Sequence, residues 1–175
     1  RINVFILSSN FSKMNKLVFA TWSIILLSSY TIAQAPQLYA ELGGPGIASL
    51  NFDSRFSKKE SGIGGRVGFG GFAFDGASIL FVPLGINYLI GKEGTKNFFE
   101  LGAGATIVSA SDNSGTGTNT ENRFNSTFGH LTLGYRYQPV GNGVTFRVAI
   151  NPLIGFESGT FWPLYGGVSV GYKFK

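Results

Sequence analysis

The sequence contains no cysteine and a single histidine, His130. The lack of cysteine excludes disulfide scaffolds, thiol nucleophiles and cysteine-based zinc sites. One histidine does not make a metal site alone, so we expect no metal and no cofactor. Charged residues make up only 13% of the chain, about half the share of a typical soluble domain.

Long apolar runs are also absent from most of the chain. Beyond residue 33, no segment approaches 18 apolar residues without glycine, proline or charge, which argues against a membrane-spanning helix.

The N-terminal segment differs from the rest of the chain in its composition. Met14 is the only methionine, and we interpret residues 1–13 as a non-native or upstream leader.

Residues 14–33 have the organisation of a secretory signal peptide. Lys16 precedes an apolar run from Leu17 to Leu27, and small residues follow at 31–35. We expect cleavage between Ala33 and Gln34, which leaves one domain, residues 34–175; the alternative is an uncleaved anchor helix. Three of the 14 Lys and Arg residues lie before residue 34, so the remaining chain is close to neutral and no nucleic-acid partner is expected.

What the chain does contain is glycine, aromatic residues and strict alternation. It has 26 Gly, 17 Phe and 7 Tyr. In the last segment, one parity reads Leu164, Gly166, Val168, Val170, Tyr172 and Phe174, and the other reads Tyr165, Gly167, Ser169, Gly171 and Lys173. Successive side chains of a strand point to opposite faces, so this segment predicts a strand with one apolar and one small or polar face.

The same pattern recurs in eight segments, which lie at about 37–43, 48–56, 63–72, 78–90, 98–109, 126–138, 144–153 and 162–174. An even number of strands with aromatic residues near their ends is typical of bacterial outer-membrane barrels. Because open sheet edges are not tolerated in hydrocarbon, the sheet must close. The sequence therefore predicts an all-β fold, a closed eight-stranded antiparallel up-and-down transmembrane β-barrel. A soluble secreted sandwich is the structural alternative.

The connections differ in length. Segments 57–62, 91–97 and 139–143 are short, whereas 109–125 is long and polar. Short periplasmic turns and longer extracellular loops are expected of such barrels. We therefore expect the 109–125 loop and the Gly155–Trp162 loop to face outside and to offer a contact surface for an extracellular partner.

The charged residues of the strands fall on the polar parity. A midplane Arg or Lys facing lipid costs about 2–4 kcal/mol, and the lumen of an eight-stranded barrel is just wide enough for side chains to fill. We predict an ion-paired lumen without a pore, in which inward glycines make room for the arginines. Its residues are Glu41, Asp53, Arg55, Arg66, Glu100, Arg136, Arg147 and Lys173.

Several segments together resemble the small outer-membrane β-barrel proteins of Bacteroidota-type bacteria. They include 39–43, 50–56, 82–91, 99–104, 134–139, 152–155 and 171–174. The resemblance implies a location in the outer membrane of a Gram-negative cell envelope, contact with its lipid, and insertion by the barrel-assembly machinery. Tyr172 and Phe174 would form the assembly signal, although Lys175 follows Phe174 and departs from that pattern.

For function, we expect a structural or cell-surface interaction role and no enzymatic activity. One alternative is a lipid- or small-molecule-binding barrel, with Glu100, Arg136 and Arg147 as its polar site. The other is a lipid A-modifying enzyme centred on His130, with Thr132 and Glu100 as nucleophile and orienting carboxylate.

Overall fold

A computed structural model describes residues 34–74, 77–112, 122–156 and 159–174. The predicted leader at 1–13 and the predicted signal peptide at 14–33 lie outside the described residues, as do residues 113–121 and Lys175. Within the described part of the chain, no helix has the length and hydropathy needed to cross a membrane.

Alternation of apolar with small or polar residues produces β-strands throughout. The strands are β1 Gln34–Gly43, β2 Ala48–Arg55, β3 Gly62–Phe74, β4 Ala77–Ile90, β5 Asn97–Asp112, β6 Asn122–Tyr137, β7 Gly143–Ile150, β8 Leu153–Gly155, β9 Phe161–Trp162 and β10 Gly166–Lys173.

The sheet closes on itself through antiparallel pairs. The order runs β5-β4-β3-β2-β1-β10-β7-β6, and β5 also pairs with β6, which completes the ring. The short strand β8 continues β7, since Leu133 lies opposite Ile150 and His130 opposite Leu153 in one uninterrupted register. Strand β9 pairs with β8 and leads into β10. The ten segments thus occupy eight positions, and the predicted closed eight-stranded antiparallel barrel is confirmed.

The polarity of the barrel wall is the reverse of that in a soluble protein, because its outer face is apolar and its inner face is polar. On β7, Val148 is 58% exposed on the outside, whereas its neighbour Arg147 is 5% exposed on the inside. The same alternation holds along β1, where Leu38 and Leu42 are exposed and Glu41 is buried. This arrangement contradicts the sandwich alternative, in which apolar side chains would form the core.

Connections 56–61, 91–96 and 138–142 lie at one end of the barrel, which we call the lower end. Connection 44–47 lies at the opposite, upper end, as do Phe74, Asp112 and Gly155, the last residues of β3, β5 and β8.

The predicted loop at 109–125 is wrong in its bounds. Strand β5 extends to Asp112 and β6 begins at Asn122, with Ser109 opposite Asn125. Backbone groups pair irrespective of side-chain polarity, so a hairpin can continue after its apolar alternation has ended. The predicted Gly155–Trp162 loop is likewise shortened, because β8 and β9 pair at its base.

The first connection does more than reverse the chain. Gly44–Gly46 forms a 3-10 turn whose three residues are all buried. The turn contacts β1, β3, β4, β5 and β10, which lie on different sides of the barrel. The hydroxyl of Thr106 donates to the carbonyl oxygen of Pro45 at 3.0 Å. The sequence predicts only a turn here, whereas the structure has an inward turn that crosses the lumen.

Candidate functional site

The eight predicted lumen residues all lie on the inner face of the wall. Each is between 0% and 6% exposed. They come from seven strands, and most of the contacts among them join residues far apart in sequence. The structure arranges them in three groups at different heights.

Asp53 on β2 is the centre of the largest group. Its carboxylate accepts hydrogen bonds from Arg55 at 2.5 Å and from Arg136 at 3.1 and 3.2 Å. Arg147 approaches the same carboxylate at 3.5 Å, and the amide of Asn87 also donates to it. Asp53 therefore contacts three guanidinium groups inside the barrel.

Glu100 on β5 is the second carboxylate of this group. Arg136 binds it through two nitrogens, at 2.8 and 3.0 Å, and Arg147 Nε lies 2.9 Å away. Charge-assisted hydrogen bonds are roughly twice as strong as neutral ones, and a bidentate guanidinium–carboxylate contact adds geometric specificity. The two carboxylates and three guanidiniums together define the central cluster: Asp53, Arg55, Glu100, Arg136 and Arg147.

A second group joins Glu41 to Arg66 at 2.7 Å. Arg66 also donates to Asn51 at 3.1 Å. Tyr39 links this pair to the central cluster, because its ring centre lies 5.8 Å from the Arg66 guanidinium and its hydroxyl accepts a hydrogen bond from Arg147 at 2.7 Å. The Arg147 guanidinium also lies 4.4 Å from the centre of the Tyr39 ring, a distance at which the ring attracts a cation.

The third group lies at the lower end. Lys173 on β10 pairs with Glu60 of connection 56–61 at 2.7 Å, and a hydrogen bond joins Gln37 to Gln138 across the same end. Lys173 therefore pairs with a turn residue, Glu60, which is not one of the eight predicted lumen residues. Glu60 belongs to a charged segment without alternation, so only its charge could have indicated it.

Sequence reasoning also missed Tyr39, Asn51 and Asn87 as members of the lumen contacts. All three lie on the polar parity of their strands. Their parity indicates the inner face, but an uncharged side chain does not indicate that it contacts an ion pair.

Gly64 on β3 shows how a glycine accommodates an arginine. A Cβ at this position would lie 2.2 Å from Arg55 Cζ and 2.5 Å from the carbonyl oxygen of Ser54. No side chain fits at these distances unless Arg55 and the backbone move.

We therefore expect Gly64→Ala to lower the free energy of unfolding by about 1–3 kcal/mol, as overpacking does. The neighbouring substitution Gly65→Ala is the control, because its Cβ would meet the end of the Phe56 ring at 2.9 Å on the outer face, and that ring can turn aside. Urea unfolding of both variants in detergent measures the difference. Equal losses would show that Arg55 does not require the space at Gly64.

The predicted assembly signal lies on the outer face at the lower end. Tyr172 and Phe174 are 42% and 45% exposed, with ring centres 5.1 Å apart in an edge-on arrangement. The Phe174 amide donates to the Pro36 carbonyl at 2.8 Å, which fixes the end of the strand. Their recognition during assembly stays a prediction.

The residues of the enzyme hypothesis do not come together. His130 is buried, and its Nδ1 lies 3.5 Å from the hydroxyl of Thr106. Thr132 instead donates to Asn151 at 3.1 Å, and Glu100 is engaged by arginines. The predicted chain of nucleophile, base and carboxylate is therefore wrong as a geometry. Within the ranges described, no group of three metal-ligating side chains is found either.

Together, the apolar outer wall and the ion-paired lumen define a small closed β-barrel of the type found in outer membranes. A solved structure with this architecture is the N-terminal beta-barrel domain of Pseudomonas aeruginosa OprF, with a TM-score of 0.57 and 14% sequence identity. The match covers 81% of this chain and 99% of that domain. No family model and no curated protein matches the sequence.

Proposed function

We propose that this protein spans the outer membrane of a Gram-negative bacterium as a small barrel with a structural or cell-surface role. The observation that carries the proposal is the inverted polarity of the wall, with apolar side chains outside and ion pairs inside. Strand β4 has 14 residues, and at about 3.3 Å per residue it is long enough to cross an apolar band of about 25 Å when tilted.

The proposed role does not include conduction. Gly44–Gly46 crosses the lumen near the upper end, the central cluster fills its middle, and the Lys173–Glu60 pair lies at the lower end. Buried ion pairs of this kind are costly to separate, because each charge would lose its partner in a poorly solvated space. We therefore expect no ion flow through the lumen.

Export and assembly are part of the proposal. Residues 14–33 would direct the chain across the inner membrane, and the barrel-assembly machinery would insert it using Tyr172 and Phe174. The upper end would then face the outside, with residues 109–125 and Gly155–Trp162 available to an extracellular partner. The resemblance to Bacteroidota-type barrels supports this reading, as does the likeness to the OprF domain in fold.

The test expresses the full chain in a Gram-negative host and separates inner from outer membranes on a density gradient. We expect the protein in the outer-membrane fraction, with faster gel migration before boiling than after it. Purified protein in planar bilayers should give no conductance steps. Recovery in the soluble periplasmic fraction would overturn the location, and discrete conductance steps would overturn the closed lumen.

A further inference from the structure

The inner face changes character at the upper end of the barrel. Leu153 lies opposite His130 on one side and opposite Trp162 on the other, and Phe128 lies opposite Gly155. Residues directly opposite in an antiparallel pair share a face. Because His130 is on the inner face, the side chains of Phe128, Leu153 and Trp162 are on that face as well.

These side chains surround a cavity of about 370 Å³. Its floor includes Gly44 and Ile47 of the inward connection, so the turn that crosses the lumen also closes the cavity from below. The remaining lining comes from β6, β8, β9 and the residues next to them: Ser126, Phe128, Leu153, Gly155, Thr160, Trp162 and Tyr165.

Among the residues that the structure describes, the lining includes no charged side chain. Burial raises the pKa of the Tyr165 hydroxyl above its ordinary value, and the negative charge of Glu41 raises it further, so Tyr165 is neutral at neutral pH. Hydroxyl groups of Ser126, Thr160 and Tyr165 are the polar side-chain groups present. A charged ligand would therefore lose water here without gaining an opposite charge.

Two features indicate that this apolar surface is not merely a filled core. Trp162 is 58% exposed although it lies on the inner face. Ile47 has a φ of 59°, a left-handed conformation that is an outlier for a β-branched residue. Strained residues of this kind cluster at ligand sites, where the surrounding structure holds them in place.

The described apolar side chain of connection 156–160 does not fill the cavity. Phe156 is 62% exposed, and a Cβ added at Gly129, whose parity is opposite to that of the inward His130, would lie 2.8 Å from its ring. Phe156 therefore packs on the outer face of the wall and not in the cavity.

We propose that this cavity binds a small uncharged aromatic molecule that stacks on Trp162 and Phe128. Its volume lies within the range of about 300–1,000 Å³ that is typical of small-molecule sites, and aromatic side chains with a few hydroxyl groups suit a planar ligand with a single polar group. The site is distinct from the central cluster, and ligand binding goes beyond the proposed structural role. Binding can be measured whether or not the protein resides in the outer membrane.

The experiment uses the full chain with Trp22→Phe, folded in detergent, so that Trp162 is the sole tryptophan whether or not residues 14–33 are removed. N-phenyl-1-naphthylamine is titrated while Trp162 is excited, and energy transfer to the probe is recorded. We expect saturable binding. The related anion 8-anilino-1-naphthalenesulfonate should bind about tenfold more weakly, because the cavity offers its sulfonate no cation.

Ser126→Phe fills the cavity and should weaken binding of the uncharged probe about tenfold or more. Thr127→Phe adds the same ring one residue away, on the outer face opposite Ile107, and should leave binding within about twofold. Phe128→Ser provides a second test if Ser126→Phe fails to give the heat-modifiable band of the folded barrel. A signal that rises linearly, or equal binding by Ser126→Phe, Phe128→Ser and Thr127→Phe, would overturn the site and indicate partition into detergent.

Discussion

Replacing Asp53 with asparagine is expected to lower the free energy of unfolding by about 3–5 kcal/mol, which is typical of removing one partner from a buried ion pair. Asp53 is 0% exposed and contacts Arg55, Arg136 and Arg147. In the variant, Glu100 would be left as the sole carboxylate of the central cluster beside three guanidiniums. Urea unfolding of the refolded protein in lipid vesicles measures the change.

The matched control is Glu93→Gln, which makes the same carboxylate-to-amide change in the exposed connection 91–96. Glu93 accepts an exposed hydrogen bond from the Ser61 hydroxyl at 3.3 Å, and exposed contacts contribute about 0–1 kcal/mol. A second variant, Asp53→Asn with Arg55→Met, removes one excess positive charge and should recover on the order of 1 kcal/mol relative to Asp53→Asn. If Asp53→Asn and Glu93→Gln have equal effects, the central cluster does not stabilise the barrel.

The barrel could be predicted because the alternation of apolar and polar residues within each strand indicates the face on which each side chain lies. On β4, Leu84 is exposed and Asn87 is buried, as their parity requires. A shift of one residue would turn every apolar side chain inward, so the face of each residue follows directly from the sequence. Closure then follows from the need to pair every strand edge in a membrane.

The partners within the lumen could not be predicted in the same way. Parity states the face of a residue, but it does not give its height along the barrel axis or its position around it. Asp53 and Arg136 meet although 83 residues separate them. Lys173 has the right parity for the central cluster, yet its place at the lower end of β10 leads it to Glu60 instead.

The alternation of apolar and polar residues also does not predict the irregular features of the upper end. The inward turn at Gly44–Gly46 depends on left-handed backbone at Gly43, Gly44 and Ile47, and glycine alone predicts a reversal without its direction. The apolar inner residues near Trp162 lie in the short strands β8 and β9, where alternation over two or three residues does not indicate a cavity. N-terminal processing and the assembly signal stay predictions.

The second large effect concerns the environment of the outer wall. Val148 lies midway along the position formed by β7 and β8, between Val144 and Ile154, and it faces outward with 58% exposure. If acyl chains surround it, Val148→Arg should lower the free energy of unfolding in vesicles by about 2–4 kcal/mol, as expected for a midplane Arg. In water the same change would have little effect, because surface substitutions are usually within about 0.5 kcal/mol.

Val140→Arg is the control for depth. Val140 is 56% exposed, almost the same as Val148, but it lies in connection 138–142 at the lower end, where an arginine reaches headgroups and water and should cost about 0–1 kcal/mol. Side chain, charge and exposure are matched, so the two variants differ in depth and in whether the arginine stands on a strand or in a turn. If lipid surrounds the wall, Val148→Arg should lower the free energy of unfolding much more than Val140→Arg does. Equal small effects would mean that the apolar face lies in water or against another protein. Since the same wall residues carry the membrane assignment, this pair of variants tests that assignment without relying on cell fractionation.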